Sequence, residues 1–287
     1  MNIDVKQNRF REIWYQFKKN KGAMIGLLIL TAIILIAVFS GVIWDYETDV
    51  IGMNVQNRLQ SPSLAHPFGT DNYGRDMLAR VGYGAKYSLI IGVTSVVFGL
   101  LIGLPIGASA GYIGGRYDTI VMRILDAFGI IPSILLTITI VSALGTSMFN
   151  LTIALAVGTI PILARITRAS VMTVRFNEYI ESARAVNGSS MYIIFKHILP
   201  NCFSPILVQC TLRVGTTMIS ASSLSYIGLG VPLPTPEWGA LLSVSKNFIM
   251  DAPYLCIFPG LAIMVTVMSV NLIGDGLRDA LDPKLKR

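Results

Sequence analysis

Six long apolar stretches, separated by polar segments, dominate the pattern of this chain. A bilayer core of about 30 Å takes about 20 helical residues to cross, and each stretch has roughly that length. None of them alternates apolar and polar positions as a membrane strand does, so the pattern excludes a β-barrel. We therefore predict an all-α integral membrane protein with spans at approximately residues 22–44, 87–112, 120–144, 151–171, 203–226 and 254–273.

The segment before the first span predicts a short amphipathic helix. Phe10, Ile13, Trp14 and Phe17 recur at helical spacing, and basic residues occupy the other faces. Such a helix suits the inner membrane interface, and the alternative is a disordered basic tail.

The first span itself also resembles a signal peptide, because lysines precede it. Its apolar run is longer than a signal sequence requires and no small-residue cleavage site follows, so we expect a retained anchor. The predicted organisation is a cytoplasmic tail with the interfacial helix (1–21), the first span (22–44), an outer loop (45–86), a five-helix core (87–277) that contains a cytoplasmic segment (176–201), and a second cytoplasmic tail (278–287).

Composition agrees with a membrane protein and fixes its orientation. Hydrophobic residues make up 53% of the 287 residues, charged residues only 14%, and the mean hydropathy is +0.63. The formal net charge is +7. With both termini in the cytoplasm, most basic residues fall on the inner side, as the positive-inside rule expects, so the charge requires no nucleic-acid partner. The outer side carries only Arg58, Arg75, Arg80, Lys86 and Lys246.

A stripe of glycines marks the second span as a packing surface. Gly99, Gly103, Gly107 and Gly111 recur every four residues and so lie on one helical face. Without side chains they let another backbone approach closely, which is a common basis of helix contact in membranes. The pattern leaves open whether the contact is within the chain or between subunits.

Prolines and polar residues inside the spans indicate where the helices deviate from simple lipid-facing rods. Pro105, Pro132 and Pro161 each predict a kink, because proline removes a backbone donor. Gln209 and Arg213 in the fifth span are costly in lipid and are candidates either for the translocation path or for structural pairing.

A second pair of charged residues lies near the inner end of the third span. Arg123 and Asp126 are close enough in sequence to pair with each other there. Outside the spans, His66 and Asp71 invite a metal assignment, but a lone histidine among scattered carboxylates is typical of a structured loop. The three cysteines lie in or beside spans without C-x-x-C spacing and are read as packing thiols.

The polar, basic segment 176–201 interrupts the apolar pattern between the fourth and fifth spans and predicts two short helices joined by a turn. Asn187 and Gly188 favour a helix stop, since both tolerate left-handed backbone, and Ser189 or Ser190 can cap the helix that follows. Pro200 is expected to end the second piece. A short amphipathic cytoplasmic helix suits insertion into a groove of a partner protein, and the alternative is a helix lying on lipid.

Within this segment, residues 181–200 resemble the coupling motif of ABC importer permeases, an E-A-A head and an I-x-L-P tail with a glycine between. Glu181, Ser182 and Ala183 match the head, and residues 198–200 match the tail with the proline in register. Two positions depart from the motif: Ser182 replaces alanine, and Asn187 replaces the glycine. Because asparagine also tolerates left-handed backbone, the turn is expected to persist.

Further blocks resemble one subfamily, the C-type permeases of dipeptide and oligopeptide importers, which also includes nickel permeases. They are WYQFKKNKGAMIGLLIL near the amino end, HPFGTDNYGRD in the outer loop, LSYIGLGVPLPTPEWGALLS after the fifth span and NLIGDGLRDALDPKLKR at the carboxyl end. Together the resemblance covers nearly the whole chain.

The resemblance implies a six-helix type I ABC importer permease and a set of partners. These are a second permease subunit, two ATPase subunits and an external solute-binding protein, in a bacterial or archaeal cell membrane. The chain lacks a G-x-x-x-x-G-K-[ST] loop, so it is expected to bind no cofactor itself, and ATP and Mg²⁺ belong to the ATPases. Dipeptides or oligopeptides are the expected solutes, with nickel or a metal chelate as the alternative and a secondary transporter less favoured.

The resemblance also assigns roles to residues. The outer loops over 45–86 and 228–253 are the expected contacts of the binding protein, with Glu237 and Trp238 held stiffly by the prolines around them. The residues expected to couple the chain to the ATPases are Glu178, Tyr179, Glu181, Ser182, Ala183, Arg184, Ala185, Asn187, Gly188 and Pro200.

Overall fold

The computed structural model describes residues 3–186 and 188–281, with side chains from residue 11 onward. Within those ranges the chain is helical, and an isolated bridge between Thr70 and Asp76 is the only pairing of extended backbone. The predicted all-α class is confirmed. The helices are α1 (Ile3–Lys19), α2 (Lys21–Ile43), α3 (Met77–Ile113), α4 (Gly115–Ile130), α5 (Ser133–Leu144), α6 (Met148–Val174), α7 (Glu178–Ala185), α8 (Ser190–Ile193), α9 (Leu199–Tyr226), α10 (Trp238–Ser245) and α11 (Tyr254–Leu281), with short π-helical turns at Tyr46–Val50 and Ile194–Ile198.

In these ranges, five helices are long and apolar enough to cross a membrane: α2, α3, α6, the helix over Ser190–Tyr226, and α11. The remaining predicted span, 120–144, is the third along the chain. It consists of α4 and α5, which meet at an angle of 82°. Pro132 accounts for the break, since proline lacks an N–H and disfavours helical backbone at the residue before it. The third span is therefore a broken pair of helices rather than one kinked helix. Pro105 and Pro161, by contrast, lie inside the uninterrupted helices α3 and α6.

The glycine stripe of α3 lies against α6 of the same chain. All four glycines are buried. A Cβ added at Gly99 would meet the Thr159 hydroxyl at 2.0 Å, and one added at Gly107 would meet the Ala164 carbonyl oxygen at 2.2 Å. The other two glycines, Gly103 and Gly111, lie against the α6 backbone at Ile160 and Arg168, respectively. The structure thus places this contact within the chain, where the two backbones touch directly.

The two ends of the described chain meet at one end of the helix bundle. The side chain of Phe17 on α1 is 4% exposed and packs with Ala23 of α2 and Ala280 of α11. The Asn20 side chain donates a hydrogen bond of 3.0 Å to Asp279 Oδ2. Both ends of the described chain therefore lie on the same side of the bundle.

The outer loop is shorter than the sequence indicates, because α3 begins at Met77 rather than at residue 87. Its remainder is folded around a buried carboxylate, that of Asp71. Asp71 Oδ2 accepts a hydrogen bond of 2.7 Å from Arg75 Nε and lies 3.7 Å from Arg80 Nε. Arg80 also donates through Nη1 to the Val50 carbonyl at 2.9 Å. The loop is consequently held to the first turn of α3.

His66, the other residue considered for a metal, pairs with a different carboxylate of this loop. Its Nδ1 lies 2.7 Å from Asp76 Oδ2. In the described part of the chain, no group of three or more histidine, cysteine, aspartate or glutamate side chains is placed to hold a metal ion.

Glu237 and Trp238, which the surrounding prolines are expected to hold stiffly, are both buried. Glu237 is 1% exposed and Trp238 is 2% exposed. The Glu237 carboxylate caps α10 by accepting from the N–H groups of Gly239 and Ala240, each at 2.9 Å. The Trp238 indole N–H donates to the Val81 carbonyl at 2.8 Å. These residues hold the outer segment onto α3 and present no surface to a binding protein.

Candidate functional site: the segment between the fourth and fifth spans

The segment 176–201 folds as α7, a turn, α8 and the π-helical turn that leads into α9. The positions of its apolar residues match the side chains that are buried. Ile180 of α7 is fully buried, against Val171 of α6 and the buried isoleucines 193, 194 and 198. The segment therefore has its own small apolar core, which joins it to the inner ends of α6 and α9.

Two arginines contact the end of α3: Arg175, which ends α6 directly before this segment, and Arg184 of α7. Arg175 Nη1 donates to the Gly111 carbonyl at 2.8 Å. The guanidinium of Arg184 lies over the Tyr112 ring, 4.9 Å from its centroid. Hydrogen bonds from a charged donor and cation–π contacts each contribute on the order of 1 kcal/mol or more. A displacement of α7 would thus pull on α3 as well as on α6.

The turn after α7 is closed by a backbone hydrogen bond from Gly188 N–H to the Ala183 carbonyl at 3.2 Å. This is the six-to-one bond of a Schellman motif, which ends a helix through a residue in left-handed backbone. Asn187, which we expect in that conformation, lies outside the described residues. Ser189 caps α8, since its hydroxyl oxygen accepts from the Tyr192 N–H at 3.3 Å.

The predicted helix end at Pro200 is wrong. The helix runs from Ser190 to Tyr226, with Pro200 in the first turn of α9. A π-helical turn over Ile194–Ile198 precedes it, and Leu199 N–H donates to the Ile194 carbonyl. A π turn shifts the hydrogen-bond register by one residue, and a first helical turn tolerates a missing N–H. The fifth span and α8 therefore form one continuous helix.

The surface of this segment that the rest of the chain leaves exposed is called its outer surface here. It carries most of the residues predicted to contact an ATPase. Ala183 is one exception, because it is half-buried and packs against the cluster that contains Ile180. Gly188 is also half-buried. The exposed members are Glu178, Tyr179, Glu181, Ser182, Arg184, Ala185 and Pro200.

Of the large apolar side chains on this outer surface, Tyr179 is among the predicted coupling residues, whereas Phe176, Met191, Tyr192 and Phe195 were missed by the sequence reasoning. Val186 is 81% exposed, and Met191 is 66% exposed. The sequence does contain a signal for this exposed apolar surface. The exposed apolar residues flank the buried isoleucines at the spacing of a helix with two apolar faces. A second apolar face that the chain does not cover is typical of a protein contact. Its members are Phe176, Tyr179, Val186, Met191, Tyr192 and Phe195.

Two ion pairs join α4 to α6, starting at this end of the molecule. Asp118 receives two hydrogen bonds from the guanidinium of Arg168. Asp126 lies 3.1 Å from Arg165 Nη2, so the expected pairing of Asp126 with Arg123 is wrong. Residues three apart share a helix face, but Arg165 reaches Asp126 from the facing helix.

The two candidates for the translocation path, Gln209 and Arg213, are both half-buried on α9, one turn apart. They line different cavities. Gln209 lies beside Ser204 and Arg278, whereas Arg213 lies in a smaller cavity among threonines and serines of α5, α6 and α9.

Comparison with known proteins identifies related chains. Residues 103–287 match the family described as binding-protein-dependent transport system inner membrane component, and residues 8–62 match the N-terminal TM domain of oligopeptide transport permease C. The chain is 47% identical to the dipeptide transport system permease protein DppC of Alkalihalophilus pseudofirmus, over 96% of this chain and 90% of the relative. It is 43% identical to the glutathione transport system permease protein GsiD of Escherichia coli, over 99% and 93%.

Among solved structures, the chain resembles one from the MetNI methionine ABC transporter in an inward-facing conformation. The TM-score is 0.60 at 21% sequence identity, and the match covers 72% of this chain and 98% of that one. This likeness establishes the fold of an ABC importer permease.

Proposed function

Since the chain belongs to the inner membrane components of binding-protein-dependent transport systems, as a C-type permease of the dipeptide and oligopeptide importers, we propose that it forms one half of a peptide import path. It is a permease subunit and a multi-pass membrane protein. The second half of the path comes from another permease subunit, because the spans of one chain do not enclose a pore.

The remaining partners follow from the family. Two ATPase subunits bind ATP and Mg²⁺ on the cytoplasmic side, and an external binding protein delivers the solute. The membrane is the inner membrane of a bacterium or archaeon, with both termini in the cytoplasm. The positive-inside charge and the meeting of α1 with the end of α11 support this orientation.

The observation that carries the coupling role is the two-sided packing of α7. One side buries Ile180 in the chain's own core, and the other exposes Glu181 and an apolar surface. An ATPase that closes on ATP would move the exposed side. Because α7 is joined to α3 by Arg184 and to α6 and α9 by the isoleucine core, and Arg175 joins the end of α6 to α3, the spans would follow it. ATP biases the path only if the ATPase pair fits this surface differently in its two states.

Charge reversal at Glu181 tests this role. In proteoliposomes that contain the assembled importer, Glu181→Lys should lower ATP-dependent peptide uptake at least tenfold, since the exposed side chain meets the ATPase and not the chain's own core. Asp275→Lys makes the same charge change at another exposed carboxylate near the inner end of α11 and should leave uptake within twofold. Normal uptake by the Glu181 variant would contradict the assignment.

The names of the relatives favour peptides as the solute, because one is a dipeptide and one a glutathione permease. Uptake of labelled dipeptide, a longer peptide, glutathione and nickel by the reconstituted importer would decide among them. We expect peptide uptake. Uptake of nickel without any peptide uptake would replace the peptide proposal by the metal alternative.

A further inference from the structure

A polar stripe runs along α9 where a lipid-facing helix would be apolar. Its members are separated by three or four residues, so they share one helical face. Thr216 and Ser223 are exposed, and the others are half-buried. Polar groups within a span are expected to face protein or water rather than lipid. The stripe consists of Gln209, Arg213, Thr216, Ser220 and Ser223.

Midway along this stripe lies a cavity of about 80 Å³ between α5, α6 and α9. It is near the middle of α9 and at the break that separates α4 from α5. Arg213 is the ionisable side chain in its lining. The polar residues around it are Ser133, Thr137, Thr159, Thr216, Thr217 and Ser220.

The guanidinium of Arg213 has no protein partner in the described part of the chain: it makes neither an ion pair nor a side-chain hydrogen bond there. A guanidinium carries five N–H donors and stays charged. Holding that charge inside a span is costly unless an anion or water receives the donors. The structure therefore places a cation within a span, and none of the described residues of this chain supplies its counter-charge.

The start of α5 adds further donors to the same cavity. Ser133 and Ile134 line it, and Pro132 at the cap position supplies no side-chain hydrogen bond to the first helical turn. First-turn N–H groups lack acceptors within their helix, and the helix dipole favours negative charge there. In broken membrane helices this arrangement is suited to anionic groups of a solute.

The hydroxyl groups are divided in a way that fits one small anion. Thr137 and Thr159 donate to carbonyls of their own helices. The hydroxyls of Ser133 and Thr217 have no such acceptor among the described residues, so they remain available as donors. Among the residues that line the cavity, the donors without a protein acceptor in the described part of the chain are thus the Arg213 guanidinium, the first amides of α5 and the hydroxyls of Ser133 and Thr217.

We propose that this cavity binds a carboxylate of the peptide in transit, with Arg213 as its main partner. The proposal rests on the proposed function, which supplies a solute with a free carboxyl end. Charge-assisted pairing between a guanidinium and a carboxylate is strong and geometrically specific. The same geometry accepts an acidic side chain of the second permease or a lipid phosphate, and the test separates these.

The experiment compares two labelled peptides, one with a free carboxyl end and one amidated there, chosen so that the binding protein holds both comparably. Uptake is measured with the reconstituted importer carrying Arg213→Gln or Arg213→Lys, and with Arg123→Gln as a control. Arg123 is an exposed arginine on α4, so its replacement removes the same group elsewhere.

We expect Arg213→Gln to lower uptake of the free acid at least tenfold and that of the amide less than twofold, Arg213→Lys to fall between, and the control to change neither. ATPase stimulation by the binding protein should persist, which shows that coupling is intact. An equal loss for both peptides would overturn the proposal in favour of a protein or lipid counter-charge, as would a variant that fails to assemble. Unchanged uptake would also overturn it. Failure of the unaltered importer to take up any peptide would instead reject the proposed function.

Discussion

Single side chains determine how closely the spans of this chain approach. At Gly107 the backbones of α3 and α6 touch, so that even a methyl group would overlap the Ala164 carbonyl. At Asp71 one buried carboxylate compensates two arginines, Arg75 of the outer loop and Arg80 of α3. In both places the protein depends on the chemistry of one position, because no neighbour has room or charge to replace it.

Gly107→Val should destabilise the helix contact. Overpacking at a rigid backbone typically costs about 1–3 kcal/mol. We expect a lower thermal midpoint for the purified protein in detergent. Gly41→Val on α2 is the matched control, since a Cβ there has no neighbour within 4 Å. An equal midpoint for both variants would contradict the close contact between α3 and α6.

Asp71→Asn should loosen the outer loop. Removing one partner of a buried ion pair costs about 3–5 kcal/mol, because it leaves an uncompensated charge. Here Arg80 is 1% exposed and would be left in that position. We expect faster proteolysis within the loop over residues 45–76, while Asp251→Asn, at an exposed carboxylate, behaves as the unaltered protein. Unchanged proteolysis would show that the loop does not depend on this carboxylate.

Among the helices, α7 is the one whose position depends on a few contacts. It has eight residues, too few to be stable alone in water. Ile180, Arg175 and Arg184 therefore decide whether it is held in place. The neighbouring break between α4 and α5 has a similar origin in one residue, Pro132, and opens the cavity beside Arg213.

Ile180→Ala should release α7 from the spans. Deleting a buried isoleucine side chain to alanine costs about 2–5 kcal/mol. We expect faster hydrogen exchange in α7 and peptide uptake that falls more than ATPase activity does. Val186→Ala removes an exposed side chain next to the same helix and should leave the exchange rate of α7 unchanged. Slow exchange in the Ile180 variant would show that other contacts hold α7.

Taken together, the chain joins a rigid outer loop, a packed bundle and an inner coupling segment. The sequence predicted the all-α class, most of the spans and the two short helices of the segment 176–201, because apolar length and turn residues are local signals. The sequence analysis predicted a kink at Pro132, where the structure has a break. Whether a proline kinks or breaks a span depends on the flanking helices. Arg165 as the partner of Asp126, and the burial of Glu237 and Trp238, depend on contacts between distant parts of the chain, which no local pattern reveals.

The Arg213 cavity shows the same limit. The sequence indicated that Arg213 is costly in lipid, but the cavity requires α5, α6 and α9 to meet. The six-residue apolar surface around α7 was visible as a pattern, yet only the structure shows which of its residues are buried by the chain itself.

The most direct test of the coupling account is crosslinking from the outer surface of α7. Ser182→Cys places a reactive thiol there, and Leu64→Cys, at a fully exposed position of the outer loop, serves as the control. The account predicts that the thiol at position 182 crosslinks to an ATPase subunit in a yield that changes with ATP, and that the crosslink stops uptake. A thiol at position 182 that reacts only with lipid-borne probes while ATP-driven uptake continues would contradict it.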